Sequence, residues 1–410
     1  MGSTTGGPRP AAATADARPT TGAAGEPAES TRREVSGGAH FAALDGYRAL
    51  AALMVLLTHV ATTTALSRQS TLGHVLARFD FGVPLFFLMS GFLLYRPWVR
   101  TALEGRARPD LRRYAVRRVG RIVPLYWVVV ATTLLVLPEV RPASFTTWWT
   151  HLLAVQIYVG PGIAEGLSHT WSLCTEIAFY AALPIIGVVA LGRRERSLEQ
   201  AWRRQLTVLG ILVLVSVAYN VVQALRGAAP FRESVWLPGF FDWFAAGMFL
   251  ALVDVRRRHA GAPRLVIVTT ALARDHASSL VLFLATFAVI CTPIAGSYDF
   301  GQTSPLQSLV KHGLYLVAAF ALLAPGILAA DRGWPTLFAR RWPRRVGLIS
   351  YGIFLWHLML LRILLHVLGI PVFSGRALEL AVVLLAVTLV VATVTYRLVE
   401  RPAQRWAHRL

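Results

Sequence analysis

Long apolar runs separated by short polar stretches organise the chain from residue 44 onward. Runs of a length that can cross a bilayer lie at about 44–63, 79–99, 119–138, 170–191, 206–226, 239–254, 278–294, 308–330, 346–368 and 377–398. The sixth and seventh are the shortest. A further apolar piece at about 146–159 is too short to span and predicts a re-entrant or interfacial helix. The pattern predicts an all-α polytopic membrane protein of about ten transmembrane helices. The first forty residues are rich in Ala, Gly, Thr and Pro, carry no apolar run, and read as a disordered tail. That divides the chain into a tail over 1–40, a transmembrane domain over 41–403 and a short tail over 404–410. No cleavable leader is expected, because the first apolar run starts late and lacks that layout.

Composition agrees with the pattern. The 410 residues are 55% hydrophobic and only 15% charged, where a soluble domain carries about 25%. The net charge of +20 is carried by arginine, with Lys311 the sole lysine. Such a balance could mark a nucleic-acid binder, but the arginines are not on one face. They cluster in alternate loops, at 100–118, 193–204, 256–274 and 332–345 and after 400, while the intervening loops are nearly bare. That alternation puts both termini in the cytoplasm and excludes nucleic acid as the partner. Cys174 and Cys291 both fall in apolar segments, which predicts inert thiols and no disulfide. No Cys/His spacing resembles a zinc site.

Titratable groups inside spans carry the candidate chemistry, since each is costly in hydrocarbon. The first span, LDGYRALAALMVLLTHV, holds Asp45, Arg48 and His59. Arg48 and His59 are eleven residues apart, about three helical turns and roughly 16 Å of rise, so both lie on one face. The plain alternative is a pair of satisfied polar residues that hold helices together. Asp45 can pair with Arg48 at i+3. In the second span Pro84 predicts a kink, and Ser90-Gly91 a close backbone approach. Ser90 is either a nucleophile or a packing and hydrogen-bonding residue. Arg118 and Arg121, beside Arg117 in RRVGRIVPLYW, share a helix face and suit phosphate; ordinary head-group anchoring explains them equally well. Tyr126 on the same helix is a candidate lining residue.

The fourth span opens HTWSLCTEIAFY. Glu176 there needs a partner, Tyr180 at i+4 or an arginine from another helix, and could orient His59; a structural ion pair is the alternative. His169, just before it, reads as a loop residue without chemistry. In the ninth span Tyr351 and His357 are six apart and off one stripe; His357 lines a cavity or bonds a neighbouring helix. Glu400 before Arg401-Pro402 reads as a helix end. Two function classes fit: a membrane enzyme, or a transporter or flippase of lipid-linked sugars without covalent chemistry. The chain has no internal repeat and no matched pair of broken helices, which weighs against transport.

These motifs together resemble the acyltransferase 3 family of membrane-bound O-acyltransferases. LDGYRALAALMVLLTH, FFLMSGF, RRVGRIVPLY, WSLCTEIAFY, SYGIFLWH and VERP occur in order over residues 41–403. The resemblance implies a ten-helix core that moves an acyl group, often acetyl from acetyl-CoA, to a hydroxyl. Family acceptors include cell-surface polysaccharides, peptidoglycan and the sugars of macrolide antibiotics. It implies His59, Arg48 and Glu176 as the catalytic set, with His59 as general base or transient acyl carrier. It implies Arg118, Arg121, Ser90 and Tyr126 at the acyl-CoA, and Trp171, Ser172, Tyr351 and His357 at the substrate, with no metal. Some members carry a C-terminal SGNH-type domain; none is expected here. The expected setting is a bacterial plasma membrane.

Overall fold

The computed structural model describes residues 1–2, 41–192, 197–227, 231–298 and 303–409. The tail expected over 1–40 lies almost wholly outside the described residues, and nothing is said of its structure. The described elements are all helical. Those of eight residues or more are α1 (Ala42–Thr63), α2 (Gly82–Glu104), α3 (Leu111–Val136), α4 (Phe145–Leu152), α5 (Trp171–Leu191), α6 (Leu198–Leu225), α7 (Phe241–Arg256), α8 (Arg264–Arg274), α9 (His276–Ile290), α10 (Pro305–Leu328), α11 (Arg341–Leu348), α12 (Ser350–Val367), α13 (Ala377–Thr395) and α14 (Arg401–Arg409). Local sequence sets several boundaries. Asp110 caps α3 and Ser144 caps α4, while Ser197 with Gln200 and Ser304 with Gln307 form capping boxes on α6 and α10. Each such cap is worth about 1 kcal/mol.

Among the described residues, nine helical segments are long and apolar enough to cross a membrane, or ten if α8 and α9 count as one. That pair is bent by 83°. Its 15 residues make α9 about 22 Å long, short of the roughly 30 Å hydrocarbon core. The seventh run is therefore a bent pair, broken at Asp275, whose carboxylate caps α9 by accepting from Ser278 N–H. α4 is the expected extra helix, two turns long. α3 starts at Leu111, well before the expected 119, so Arg112 to Arg121 are helical. Pro84, expected to kink its span, falls in the first turn of α2, directly after a 3-10 turn at Arg78–Phe81. Nor does Arg401-Pro402 end the last helix. α13 continues through a π-turn at Tyr396–Glu400 into α14, and residues expected as a tail are helical to Arg409.

α1 is the central helix, packed by α2, α10, α11 and α12. Its most apolar stretch is 67% buried, against 22% for α6 and for the α13–α14 span, which therefore turn most of their surface outward to lipid. α2 and α7 approach most closely. A side chain at Gly91 would strike the Phe244 backbone carbonyl, and one at Gly247 the Leu88 carbonyl. The close approach expected at Ser90-Gly91 is that contact. The arginine-rich loops gather at one end. There the fully buried Asp254 holds Arg96 and Arg257 at 2.9 Å and Arg258 at 3.1 Å. At the opposite end buried Arg78 donates to Ser297 O at 2.8 Å, and Lys311 pairs with Asp80 at 2.7 Å.

Candidate active site

Two cavities stand back to back inside the bundle. The first opens toward the arginine-rich end and is lined by Arg48 of α1, Ser90 of α2, Arg118 and Arg121 of α3, Ser172, Glu176 and Tyr180 of α5, and Tyr351 of α12. Glu176 Oε1 accepts from the Tyr180 hydroxyl at 2.6 Å and from the Ser90 hydroxyl. The i+4 tyrosine is thus the partner the carboxylate required, and the Ser90 hydroxyl is a second donor to Glu176. Arg48 pairs with Asp45 at 3.6 Å, the i+3 contact read from spacing. Arg118 lies over the Tyr180 ring, 5.9 Å from its centroid. Neither Arg118 nor Arg121 has a carboxylate or carbonyl partner among the described residues, and Arg118 Nε is buried without an acceptor. Tyr351 donates to Ile122 O at 2.8 Å and ties α12 to α3. Three guanidinium groups against one hydrogen-bonded carboxylate make this a cavity for an anion.

The second cavity, of about 490 Å³, opens at the other end. His59, His169 and Trp171 form its inner part, and Arg78, Asp80, Lys311 and His312 its outer part. Val83 and Phe354 line both cavities, so little more than one layer of side chains divides them. Lys311 and the Tyr315 hydroxyl both hold Asp80. His312 lies 2.8 Å from Asp242 and stacks on Trp243 at 4.5 Å.

The inner histidines have their tautomers set by backbone carbonyls, which can only accept. His357 Nδ1 is 2.7 Å from Phe354 O, and His59 Nδ1 is 2.7 Å from Val55 O, so both Nδ1 atoms carry the proton. His357 Nε2, 3.3 Å from His59 Nδ1, is left as an acceptor toward it. His59 Nε2 then keeps a free lone pair. This is the arrangement of a general base steadied by a second group.

The residues singled out from sequence divide between these places. Arg48, Ser90, Arg118, Arg121, Ser172, Glu176 and Tyr351 line the first cavity; His59 and Trp171 line the second. Ser172 and Tyr351, expected at the substrate, sit instead beside the arginines. Glu176 does not orient His59; it faces the other cavity, and His357 of α12 is the neighbour of His59. His357 lines neither cavity and is fully buried. Tyr126 also lines neither: its hydroxyl donates to His151 O at 2.6 Å and fastens α4. Glu400 is buried in the π-turn, not at a helix end. His169, read as a loop residue, lies buried beside both other histidines, with ring centroids 4.7 Å from His357 and 6.3 Å from His59. Lys311 and His312 were also missed. Their signal was a lysine and a histidine together inside an apolar run. Among the described residues no group of three His, Cys, Asp or Glu has metal-holding geometry.

The helices and the two polar cavities define a multi-pass membrane protein with an anion pocket on one side of a histidine cluster. The chain belongs to the acyltransferase 3 family, whose acyltransferase domain matches residues 41–397. It is similar to YrhL of Bacillus subtilis, 25% identical over 89% of this chain and 55% of that protein. It is similar to the peptidoglycan O-acetyltransferase OatA of Listeria monocytogenes, 24% identical over 88% of this chain and 55% of that protein. The O-acetyltransferase OatA of Staphylococcus aureus is 24% identical over 88% of this chain and 57% of its own length. The chain thus spans about half the length of these relatives. No solved structure matches it.

Proposed function

We propose that this protein moves a short acyl group, acetyl or a near homologue, from acyl-CoA to a hydroxyl of a carbohydrate. Membership of an acyltransferase family favours this over transport of lipid-linked sugars. The observation that carries the reading is the pair of cavities meeting at Val83 and Phe354, anionic-ligand chemistry on one side and a free imidazole lone pair on the other. Arg118 and Arg121, with Arg48, hold the CoA phosphates at the arginine-rich end, which faces the cytoplasm. The thioester reaches past Phe354 toward His59. The acceptor enters through the second cavity, where Trp171 gives a sugar an apolar face and Asp80, Lys311 and His312 meet its hydroxyls. His59 Nε2 takes the acceptor proton as the oxygen attacks, and returns it to the departing CoA sulfur. His357 keeps the His59 ring in the reactive tautomer. Glu176 fixes Ser90 and Tyr180 in the donor cavity.

The names of the relatives point to peptidoglycan as acceptor class; a glycosylated metabolite such as a macrolide is the alternative acceptor tested beside it. The test is free CoA release by purified protein in detergent, from acetyl-, propionyl- and longer acyl-CoA, with peptidoglycan fragments, simple sugars and glycosylated macrolides. Release that requires an acceptor and is lost in His59→Ala is the expected result. Acceptor-dependent release that survives in His59→Ala would sink the role of that histidine. Folded wild-type protein that neither binds nor consumes acyl-CoA would sink the whole reading.

A further inference from the structure

We infer that His169 is a second imidazole at the reacting centre, donating a hydrogen bond to the carbonyl oxygen of the acyl group in transfer. The inference rests on the acyl-transfer reading above and adds a group to it. His169 is 3% exposed, lines the cavity that holds His59, and has neither ring nitrogen in a well-formed hydrogen bond with a described residue, the Leu355 carbonyl being the backbone acceptor near it. Burying a polar group without a partner is unfavourable, and here the backbone around it is fully provided for. The Thr170 N–H and hydroxyl both donate to Leu167 O, at 2.8 and 2.6 Å; Gln156 donates to Thr170 Oγ1 at 3.0 Å; and Ser172 donates to the carbonyl of His169 itself at 3.2 Å. The turn over Ser168–Thr170 thus holds the ring in place while the ring makes no well-formed hydrogen bond of its own.

Its surroundings say what it waits for. The ring meets Phe354 edge-on at 5.0 Å, in the layer between the cavities, and faces His357 and His59. A thioester arriving past Phe354 to meet His59 Nε2 passes this ring. The N–H groups of His59 and His357 are held at 2.7 Å from backbone carbonyls, whereas that of His169 meets the Leu355 carbonyl without well-formed geometry, so His169 is the imidazole whose donor can turn to a ligand. In the step itself, His59 Nε2 takes the hydroxyl proton as the acceptor oxygen bonds to the thioester carbon. The carbonyl π pair moves onto its oxygen, where the N–H of His169 stabilises it. Collapse restores the carbonyl, breaks the C–S bond, and the sulfur takes the proton back from His59. His169 gains and loses no proton. A donor aimed at developing charge in a water-poor site is worth about 10²–10³ in rate.

The test uses the full chain in detergent with acetyl-CoA and whichever acceptor of the panel the wild type uses. His169→Phe should lower kcat by about 10²–10³-fold, with KM for acetyl-CoA and acceptor and the affinity for CoA unchanged. His169→Asn, which keeps an N–H donor, should recover part of the loss. Wild-type kcat in His169→Phe would overturn the inference. So would a loss confined to KM, or an Asn variant as slow as the Phe variant while both bind CoA normally. A wild type without His59-dependent CoA release would overturn the underlying reading instead, before any His169 variant is compared.

Discussion

Replacing Arg118 or Arg121 by methionine keeps most of the stem and removes the guanidinium. Both groups line the first cavity without a carboxylate or carbonyl partner among the described residues, so the change breaks no visible ion pair and the fold should persist. What is lost is a charge-assisted contact to a phosphate, worth about 1.5–3 kcal/mol. At 1.4 kcal/mol per decade that is roughly a ten- to 150-fold rise in Kd for CoA. The two residues are three apart on α3 and act on one ligand, so the double variant should lose less than the product of the single losses. Lysine at either position should recover only part, because it restores charge without the planar fork. The assay is titration calorimetry of CoA into detergent-purified protein. Acetyl-pantetheine, which lacks the nucleotide, is the control: its KM should be the same in wild type and variants. CoA binding equal to wild type in the double variant would refute the assignment of this cavity to the phosphates. An equal loss with acetyl-pantetheine would show that the arginines act through the fold instead.

Five further outcomes follow from the packing. Asp254→Ala strands Arg96, whose side chain is 9% exposed, and should cost about 3–5 kcal/mol; an unchanged Tm in detergent would count against that buried cluster. Gly247→Leu drives a side chain into the Leu88 carbonyl, where no flexible neighbour can yield, and should destabilise by at least about 1–3 kcal/mol. Gly210→Ala in the middle of α6 meets open space and should stabilise by roughly 0.5–1 kcal/mol; the two melts should move in opposite directions. Phe354→Ala should join the two cavities, and acyl-CoA hydrolysis without acceptor should rise above the wild-type rate; no rise would mean the ring is not the barrier. His151, outside the spans, has its pKa lowered from the usual histidine value by burial, partly offset by its bond to Thr147 O. Its Nε2 accepts from Ala164 N–H at 3.0 Å, so the folded state holds the neutral ring. That contribution is complete above the unfolded value near 6.5 and is lost as pH falls from there through the lowered folded value. The Tm difference between wild type and His151→Asn should shrink over that range; a constant difference would show that His151 does not titrate with unfolding.

The spans and the arginine pattern were legible because hydrocarbon length and loop charge act residue by residue along the chain. α1 is the clearest case: its boundaries, the Asp45–Arg48 pair and the polar stripe all follow from helical spacing. The bent α8–α9 pair was not legible, since the arginines at both ends of α8 placed it in a loop and the run after Asp275 looked like one short span. The start of α3 was missed because arginines inside a helix count against a span, although their charge lies at its end. Nine of the residues singled out from sequence line one of the two cavities, but how they group was not legible. Glu176 and His59 read as partners because both are titratable and buried. Which helix faces which cavity depends on how α5 and α12 pack around α1, and no spacing within one helix encodes that. His169 failed for the same reason: a histidine before a span is ordinary until Gln156 and Thr170 fold the preceding loop over it.

One helix carries both ends of the proposed chemistry. Arg48 and His59 are on the same face of α1, so roughly 16 Å separates the anionic grip from the base, and that separation is covalent in origin. A ligand with its phosphates at Arg48 and its reacting atom at His59 must be long, narrow and charged at one end only. A pantetheine arm ending in a thioester has that shape; a lipid-linked sugar, with its polar mass beside its phosphates, does not. The helices around α1 keep the distance fixed, since α2, α10, α11 and α12 all pack on it and most of its apolar stretch is buried. The same rigidity explains how Val83 and Phe354 can separate two polar cavities with a thin layer. A layer of that thickness blocks water only if the helices on either side do not move apart, and further along α2 the Gly91 and Gly247 contacts bring α2 and α7 to backbone distance. On the proposed reading, the close packing of small residues and the charged stripe are parts of one arrangement, across whose thin layer the acyl group passes.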